Sequence, residues 1–271
     1  MEVLILASGS KGNALIIKAN NTKILVDIGI TYPNFTKKIK NEDVNINNIS
    51  AIFLTHEHSD HIKGLKRYLQ NHPEVKVYLS KGTYEAIDLE TRNLLINYEI
   101  IKSKDTIIYN ELEVIVYDLS HDASEPVGYV FKYNNKKAVI ATDTGYIDEQ
   151  NFEILKNANL YILEANHEPS LLMDSRRPYY LKQRIIGTKG HLSNDEAAWL
   201  INEFIKECDN STWAVAHISE DCNTEYHIEK SIVEIVEDPT KLEVLYTSQE
   251  TMRKIKLWLK LYQLEKLKIK N

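Results

Sequence analysis

The chain has 271 residues, 43% of them hydrophobic and 27% charged, with a formal net charge of −6. These values fit one large globular domain or two small ones and exclude collagen-like, disordered and membrane-spanning classes. Its two cysteines, Cys208 and Cys222, form no CxxC pair, which excludes a zinc knuckle and suits a reducing compartment.

Residues 2–7 read as a first strand rather than a signal peptide, so the expected location is the cytoplasm. Further strand-like runs occupy 13–19, 23–28 and 50–55, with Asn20-Asn21 as a hairpin turn. Helical spacing at 34–43 and 62–71 places Asp60 and His61 at a helix N-terminus. Strands fit 75–79, 106–109, 112–118, 127–133 and 137–142, the last two joined at Asn134-Asn135. The second half reads as helix 149–157, strand 159–164, helices 179–186 and 194–208, strand 212–217, helix 224–236 and strand 242–247. Mixed strands followed by interleaved helices and strands predict a layered α/β protein with helices outside two sheets.

The parse is one domain, 1–248, and a basic amphipathic extension, 249–271, in which Leu257, Trp258, Leu261, Leu264 and Leu267 recur at helical spacing. The extension holds seven Lys or Arg against two Glu, so the negative charge resides in 1–248. An acidic body repels nucleic acid at long range, and any such contact needs local basic patches. Packing on that body is the expected use of the extension; a homodimer contact, DNA or an anionic membrane surface are the alternatives.

Thr55-His56-Glu57-His58-Ser59-Asp60-His61 follows the apolar run Ala51-Ile52-Phe53-Leu54. Imidazoles and a carboxylate crowded at a strand end pack poorly unless a cation takes their lone pairs, and the set suits Zn, Mn or Fe. Downstream, His121, Asp143 and His217 each stand just past an apolar run. One alone is an ordinary strand-end polar group; all of them with the histidine cluster point to a metal centre, since sheets present reactive groups at strand ends.

His56-x-His58-x-Asp60-His61 with His121, Asp143 and His217 resembles the metallo-β-lactamase fold hydrolases. That resemblance implies an αββα four-layer sandwich of two mixed sheets with helices outside, and a dinuclear site between the sheets. It implies His56, His58 and His121 on one divalent ion, Asp60, His61 and His217 on the other, and Asp143 bridging, with zinc or manganese as the expected metals. Ser8-Gly9-Ser10-Lys11-Gly12-Asn13, Glu164-Ala165-Asn166-His167, Tyr180-Leu181-Lys182-Gln183-Arg184-Ile185, Gly190-His191-Leu192-Ser193-Asn194 and Ala216-His217-Ile218-Ser219 are similar to the YycJ/WalJ-type branch, over about 1–248. The branch implies a metal-dependent nuclease, with 5′-to-3′ exonuclease action on DNA foremost. The tail looks longer than that branch's usual ending.

The expected mechanism is attack on phosphorus by a hydroxide shared between two metals. Asp60 is placed among the catalytic residues, His191 is the candidate acid for the leaving oxygen, and Glu164 orients its imidazole. The Gly190–Asn194 segment resembles the catalytic-histidine segment of tRNA-processing endonucleases. The competing reading of His191 is a histidine beside the Ser193/Asn194 helix cap. Arg176, Arg177, Tyr180, Lys182 and Arg184, with Tyr179 and Lys189, combine cations and aromatics suited to a nucleic-acid backbone, or to a solvated helix face. Ser8–Asn13 offers backbone N–H groups to a phosphate or forms only a tight turn. His167 fits a supporting place near Glu164, and His72 and His227 read as surface residues.

The expected partner is therefore nucleic acid, DNA ahead of RNA, or a nucleotide, without integral membrane association. A cyclic-nucleotide or other small-molecule phosphodiesterase is the alternative; a thioester hydrolase and a non-catalytic metal-binding regulatory protein come after it.

Overall fold

A computed structural model describes residues 1–257 except Asn41 and Asp43. The strands are β1 Glu2–Ala7, β2 Ala14–Ala19, β3 Thr22–Val26, β4 Ala51–Phe53, β5 Lys76–Ser80, β6 Tyr98–Ile101, β7 Thr106–Tyr109, β8 Leu112–Asp118, β9 Val127–Tyr133, β10 Lys136–Ala141, β11 Leu160–Glu164, β12 Ser211–Ala216, β13 Leu242–Tyr246 and β14 Arg253–Lys256. The helices are α1 Tyr32–Ile39, α2 Ser59–Ile62, α3 Leu65–Asn71, α4 Lys81–Ala86, α5 Leu89–Arg92, α6 Phe152–Leu155, α7 Pro169–Asp174, α8 Tyr179–Ile186, α9 Asn194–Ile205 and α10 Glu225–Ile235.

Two mixed sheets form, in the orders β14-β1-β2-β3-β4-β5-β6 and β13-β12-β11-β10-β9-β8-β7. Side chains alternate between faces along a strand, and here both faces are covered. Val3 and Ile5 pack between the sheets with Phe53, Val114, Phe131, Ile140 and Ile162. Leu4 and Leu6 pack outward with Phe35 of α1 and Tyr68 of α3. On the far side, Trp213 and Val215 pack outward with Leu200 and Phe204 of α9 and Ile228 of α10. The layers are thus helix, sheet, sheet, helix, as expected.

β3, β4, β5 and β6 run parallel in the first sheet, and β10, β11, β12 and β13 in the second. Their carboxyl ends deliver Asp27, the 55–61 segment, Asp143, Glu164 and His217. Loops there are free to carry chemistry because the buried strands fix where they start.

Several elements depart from expectation. β6, α4, α5, α7 and β14 were not anticipated. His72 is buried (8% exposed), with Tyr32 Oη 3.1 Å from its Nε2, because the end of α3 tucks it under α1. Residues 253–256 pair with β1, Val3 opposite Ile255, and Leu257 N donates to Met1 O at 2.9 Å. The rest of the expected tail helix, including Trp258, Leu261, Leu264 and Leu267, lies outside the described residues. Among the described residues no helix is long and apolar enough to cross a membrane.

Candidate metal centre

His58 is the residue before α2, and the helix turn brings His61 N to His58 O at 2.9 Å. The backbone of this segment meets the 27–29 segment closely: Ile28 N donates to His61 O at 2.8 Å, and a Cβ on Gly29 would lie 1.5 Å from Asp60 O. Any side chain at Gly29 would push the histidine turn away.

Three groups of ligand atoms lie within 4.8 Å of one another: His56, His58 and His121; His56, His61 and Asp143; and Asp143, Glu164, His191 and His217. Asp60 Oδ2 joins them at 3.7 Å from His61 Nε2 and 3.6 Å from His217 Nε2. Asp143 stands centrally, with Oδ2 3.0 Å from His61 Nε2 and Oδ1 3.2 Å from His217 Nε2. His56 Nε2, His217 Nε2 and Asp143 Oδ2 are buried and make no hydrogen bond. Buried polar atoms without partners are costly unless a cation completes them, so the residues fit divalent metal.

Neighbouring groups fix which ring nitrogens face the centre. Asp27, buried just past β3, accepts from Thr55 N at 2.8 Å, Thr55 Oγ1 at 2.7 Å and His61 Nδ1 at 2.7 Å. The Thr55 hydroxyl therefore donates to Asp27 and accepts from His56 Nδ1 at 3.0 Å. His121 Nδ1 donates to Gly190 O at 3.1 Å. These bonds turn Nε2 of all three rings toward the centre; His56 offers a lone pair there directly, and His61 offers one once its Nε2 proton is lost. Sequence reasoning missed Asp27, although it carries the signal used for Asp143: a carboxylate just past an apolar run.

The electrostatics agree. Burial, with the neighbouring His61, His121 and His58, pushes His56 well below the usual histidine range and keeps it neutral. Burial opposes protonation of His61, but Asp143 and Asp27 outweigh it and raise its pKa well above normal. Burial also opposes ionisation of Asp143, yet His217 and His61 hold its carboxyl well below the ordinary range.

Asp27, Asp143 and His217 have φ of 56°, 61° and 49°, a left-handed conformation that non-glycine residues rarely adopt. In each case the chain has just left a strand, β3, β10 or β12, and this turn re-aims the next side chain.

The Ser8–Asn13 loop is tied to the same groups. Ser8 Oγ accepts from His217 N at 2.9 Å, Asn13 N donates to Asp60 O at 2.7 Å, and Asn13 Nδ2 lies 3.0 Å from His61 Nε2. Asn166 Nδ2 donates to His217 O at 2.9 Å. His167 is buried.

His191 lies beside the centre, its ring stacked on His217 at 5.0 Å and 5.1 Å from that of His121. Its Nδ1 is 2.9 Å from Glu164 Oε2, while Glu164 Oε1 accepts from Thr144 N at 2.7 Å. Ser193 caps α9 in a capping box with Glu196, so His191 is free of the capping task.

The basic segment runs from the link between α7 and α8 through α8. Arg176 and Tyr180 are exposed, Tyr180 by 73%. Arg177 pairs with Asp221, Arg184 with Asp122, and Lys182 donates to Met173 O.

The beta-lactamase superfamily domain matches residues 22–218. The chain belongs to the beta-lactamase superfamily. Among curated relatives of this superfamily member, exodeoxyribonuclease YycJ of Bacillus anthracis is 34% identical over 235 residues, covering 86% of this chain and 88% of the relative. Exodeoxyribonuclease WalJ of Streptococcus pneumoniae is 32% identical, over 81% of this chain and 82% of that protein. The solved structure of the metallo-beta-lactamase fold protein YhfI from Bacillus subtilis aligns with a TM-score of 0.69 at 13% identity, covering 94% and 98% of the two chains. The expected fold and YycJ/WalJ kinship are borne out.

Proposed function

We propose that this superfamily member is a metal-dependent nuclease that hydrolyses phosphodiester bonds of DNA from the 5′ end. The observation that carries the chemistry is the convergence of His56 Nε2, His217 Nε2 and Asp143 Oδ2, buried polar atoms without hydrogen-bond partners. The kinship with YycJ and WalJ, both exodeoxyribonucleases, supports the substrate.

In this reading His56, His58 and His121 would hold one divalent cation and Asp60, His61 and His217 a second, with Asp143 within reach of both sets. Bound zinc or manganese would acidify water and neutralise phosphoryl charge. The protein supplies the rest. Asp27 and Thr55 keep the His61 and His56 rings oriented, and Asn13 and Ser8 brace Asp60 and His217. Glu164 accepts a hydrogen bond from His191 Nδ1–H, so in the protonated ring Nε2–H is the donor that would give its proton to the leaving 3′ oxygen, leaving neutral imidazole.

The test is a panel of 5′- and 3′-labelled linear DNA, closed circular DNA, RNA and cyclic nucleotides, with manganese or zinc and an Asp60→Ala control. Release of label first from the 5′ end of linear DNA supports the proposal. Hydrolysis of cyclic nucleotides alone overturns it in favour of a small-molecule phosphodiesterase.

A further inference from the structure

Three ion pairs beside the candidate centre share one construction. Each carboxylate sits on a loop that also carries a candidate metal-binding histidine. Asp122 directly follows His121, while Glu220 and Asp221 lie on the loop that leaves His217. Each cation comes from another element. Lys11 Nζ of the Ser8–Asn13 loop is 2.6 Å from Glu220 Oε2. Arg177 Nη2, between α7 and α8, is 3.3 Å from Asp221 Oδ2 and 3.4 Å from Ser219 Oγ. Arg184 Nε of α8 pairs with Asp122, whose other oxygen lies 3.2 Å from His121 Nε2.

All three pairs touch solvent, with side-chain exposures of 67% and 59% for Lys11 and Glu220, and 55% and 30% for Arg184 and Asp122. Solvated pairs of this kind contribute little to stability. They are poor explanations of the fold, and they neutralise the very cations that a polyanion needs.

We propose that these pairs are phosphate-exchange positions: Lys11, Arg177 and Arg184 pass from the rim carboxylates to backbone phosphates of a bound nucleic acid. The inference rests on the nuclease reading above. A guanidinium offers a carboxylate and a phosphate the same fork of N–H donors, so the exchange leaves no cation unpaired. It does leave Asp122, Glu220 and Asp221 facing the incoming anion. That repulsion weakens any ligand that reaches only one cation. A chain of linked phosphates engages several at once and recovers the loss through effective concentration. The three carboxylates thereby become specificity-determining residues, selecting polymeric phosphodiesters over small phosphates by an unfavourable term built against the latter.

The experiment measures anisotropy of a fluorescein-labelled DNA oligonucleotide on zinc-loaded protein, in a His191→Ala background that slows cleavage, across a salt series. Asp122→Asn and Asp221→Asn should each tighten binding roughly two- to fivefold. Each should steepen the plot of log K against log salt by roughly 0.7–0.9, one phosphate contact. Adding Arg177→Ala to Asp221→Asn should abolish that variant's gain, because Asp221 is paired with that cation and touches no candidate metal ligand. Asp221 is 77% exposed, so its variant tests the idea without threatening the fold. Unchanged or weaker DNA binding by both variants, with wild-type binding present, overturns this inference alone. Failure of the wild-type protein to bind DNA overturns the nuclease reading, and this inference with it.

Discussion

Replacing Asp27 with Asn should unbalance the centre without changing its shape. Asp27 accepts three hydrogen bonds in a buried place, from Thr55 N, Thr55 Oγ1 and His61 Nδ1. An asparagine has one acceptor oxygen, and the Thr55 backbone N–H cannot turn away. The amide oxygen therefore stays on Thr55 N, and the NH2 group faces His61 Nδ1. His61 must then accept at Nδ1 and carry its proton on Nε2, where no lone pair remains for metal. Breaking a buried charged pair costs about 3 kcal/mol, or roughly 6–12 °C in Tm for a domain of this size. Loss of a group that orients a ligand lowers metal affinity by about 10–100-fold. Zinc titration by calorimetry and thermal unfolding read both effects. A variant that still binds two zinc ions as tightly as wild type refutes the tautomer argument, even if its Tm falls.

Further outcomes follow from the same geometry. His61 holds a proton that metal must displace, whereas His56 is already neutral. Protons on His61 and on His217, whose pKa is raised to about 9, oppose metal, so zinc on Asp60, His61 and His217 should leave first as pH falls below about 9; two zinc sites with equal pH dependence would contradict this. His191→Ala should keep its metal content and lose about 10²–10⁴-fold in turnover, measured by elemental analysis and hydrolysis of bis-p-nitrophenyl phosphate; departure of metal would make His191 a ligand. A Cβ on Gly145 would lie 2.3 Å from Thr188 O, just upstream of His191. Gly145→Ala should thus destabilise by about 1–3 kcal/mol and lower kcat through a shifted imidazole, whereas unchanged kcat and Tm would show that the loop yields freely.

The ligand-bearing residues are legible because they break a pattern: polar groups straight after a buried run are expensive, and this recurs at four places, the 55–61 cluster, His121, Asp143 and His217. Asp27 broke the same pattern after Ile24-Leu25-Val26 but was absorbed into the strand. Asn13 and Ser8 were legible only as a loop, because their partners Asp60 and His217 are distant in sequence. β14 was hidden for the same reason. Arg253-Lys254-Ile255-Lys256 shows one inward residue, and its pairing with β1 spans nearly the whole chain. α7 carried a local signal, Pro169 at its first turn, that went unused. The basic segment 176–189 was read from composition alone, and composition does not say that Arg177 and Arg184 already hold carboxylates.

The left-handed turns at Asp27, Asp143 and His217 bear on how this protein can change over generations. An L-residue in that conformation costs about 1–2 kcal/mol that glycine does not. At Asp143 and His217, then, the backbone conformation pulls toward glycine while the chemistry needs a side chain, whereas at Asp27 three buried hydrogen bonds offset that pull. Mutational drift toward a sturdier fold would pass through loss of the metal centre, so selection for stability alone should erase activity here before it erases the sandwich. A superfamily member retaining Asp143 and His217 in this conformation bears the mark of a working site, because the left-handed turn alone favours glycine there.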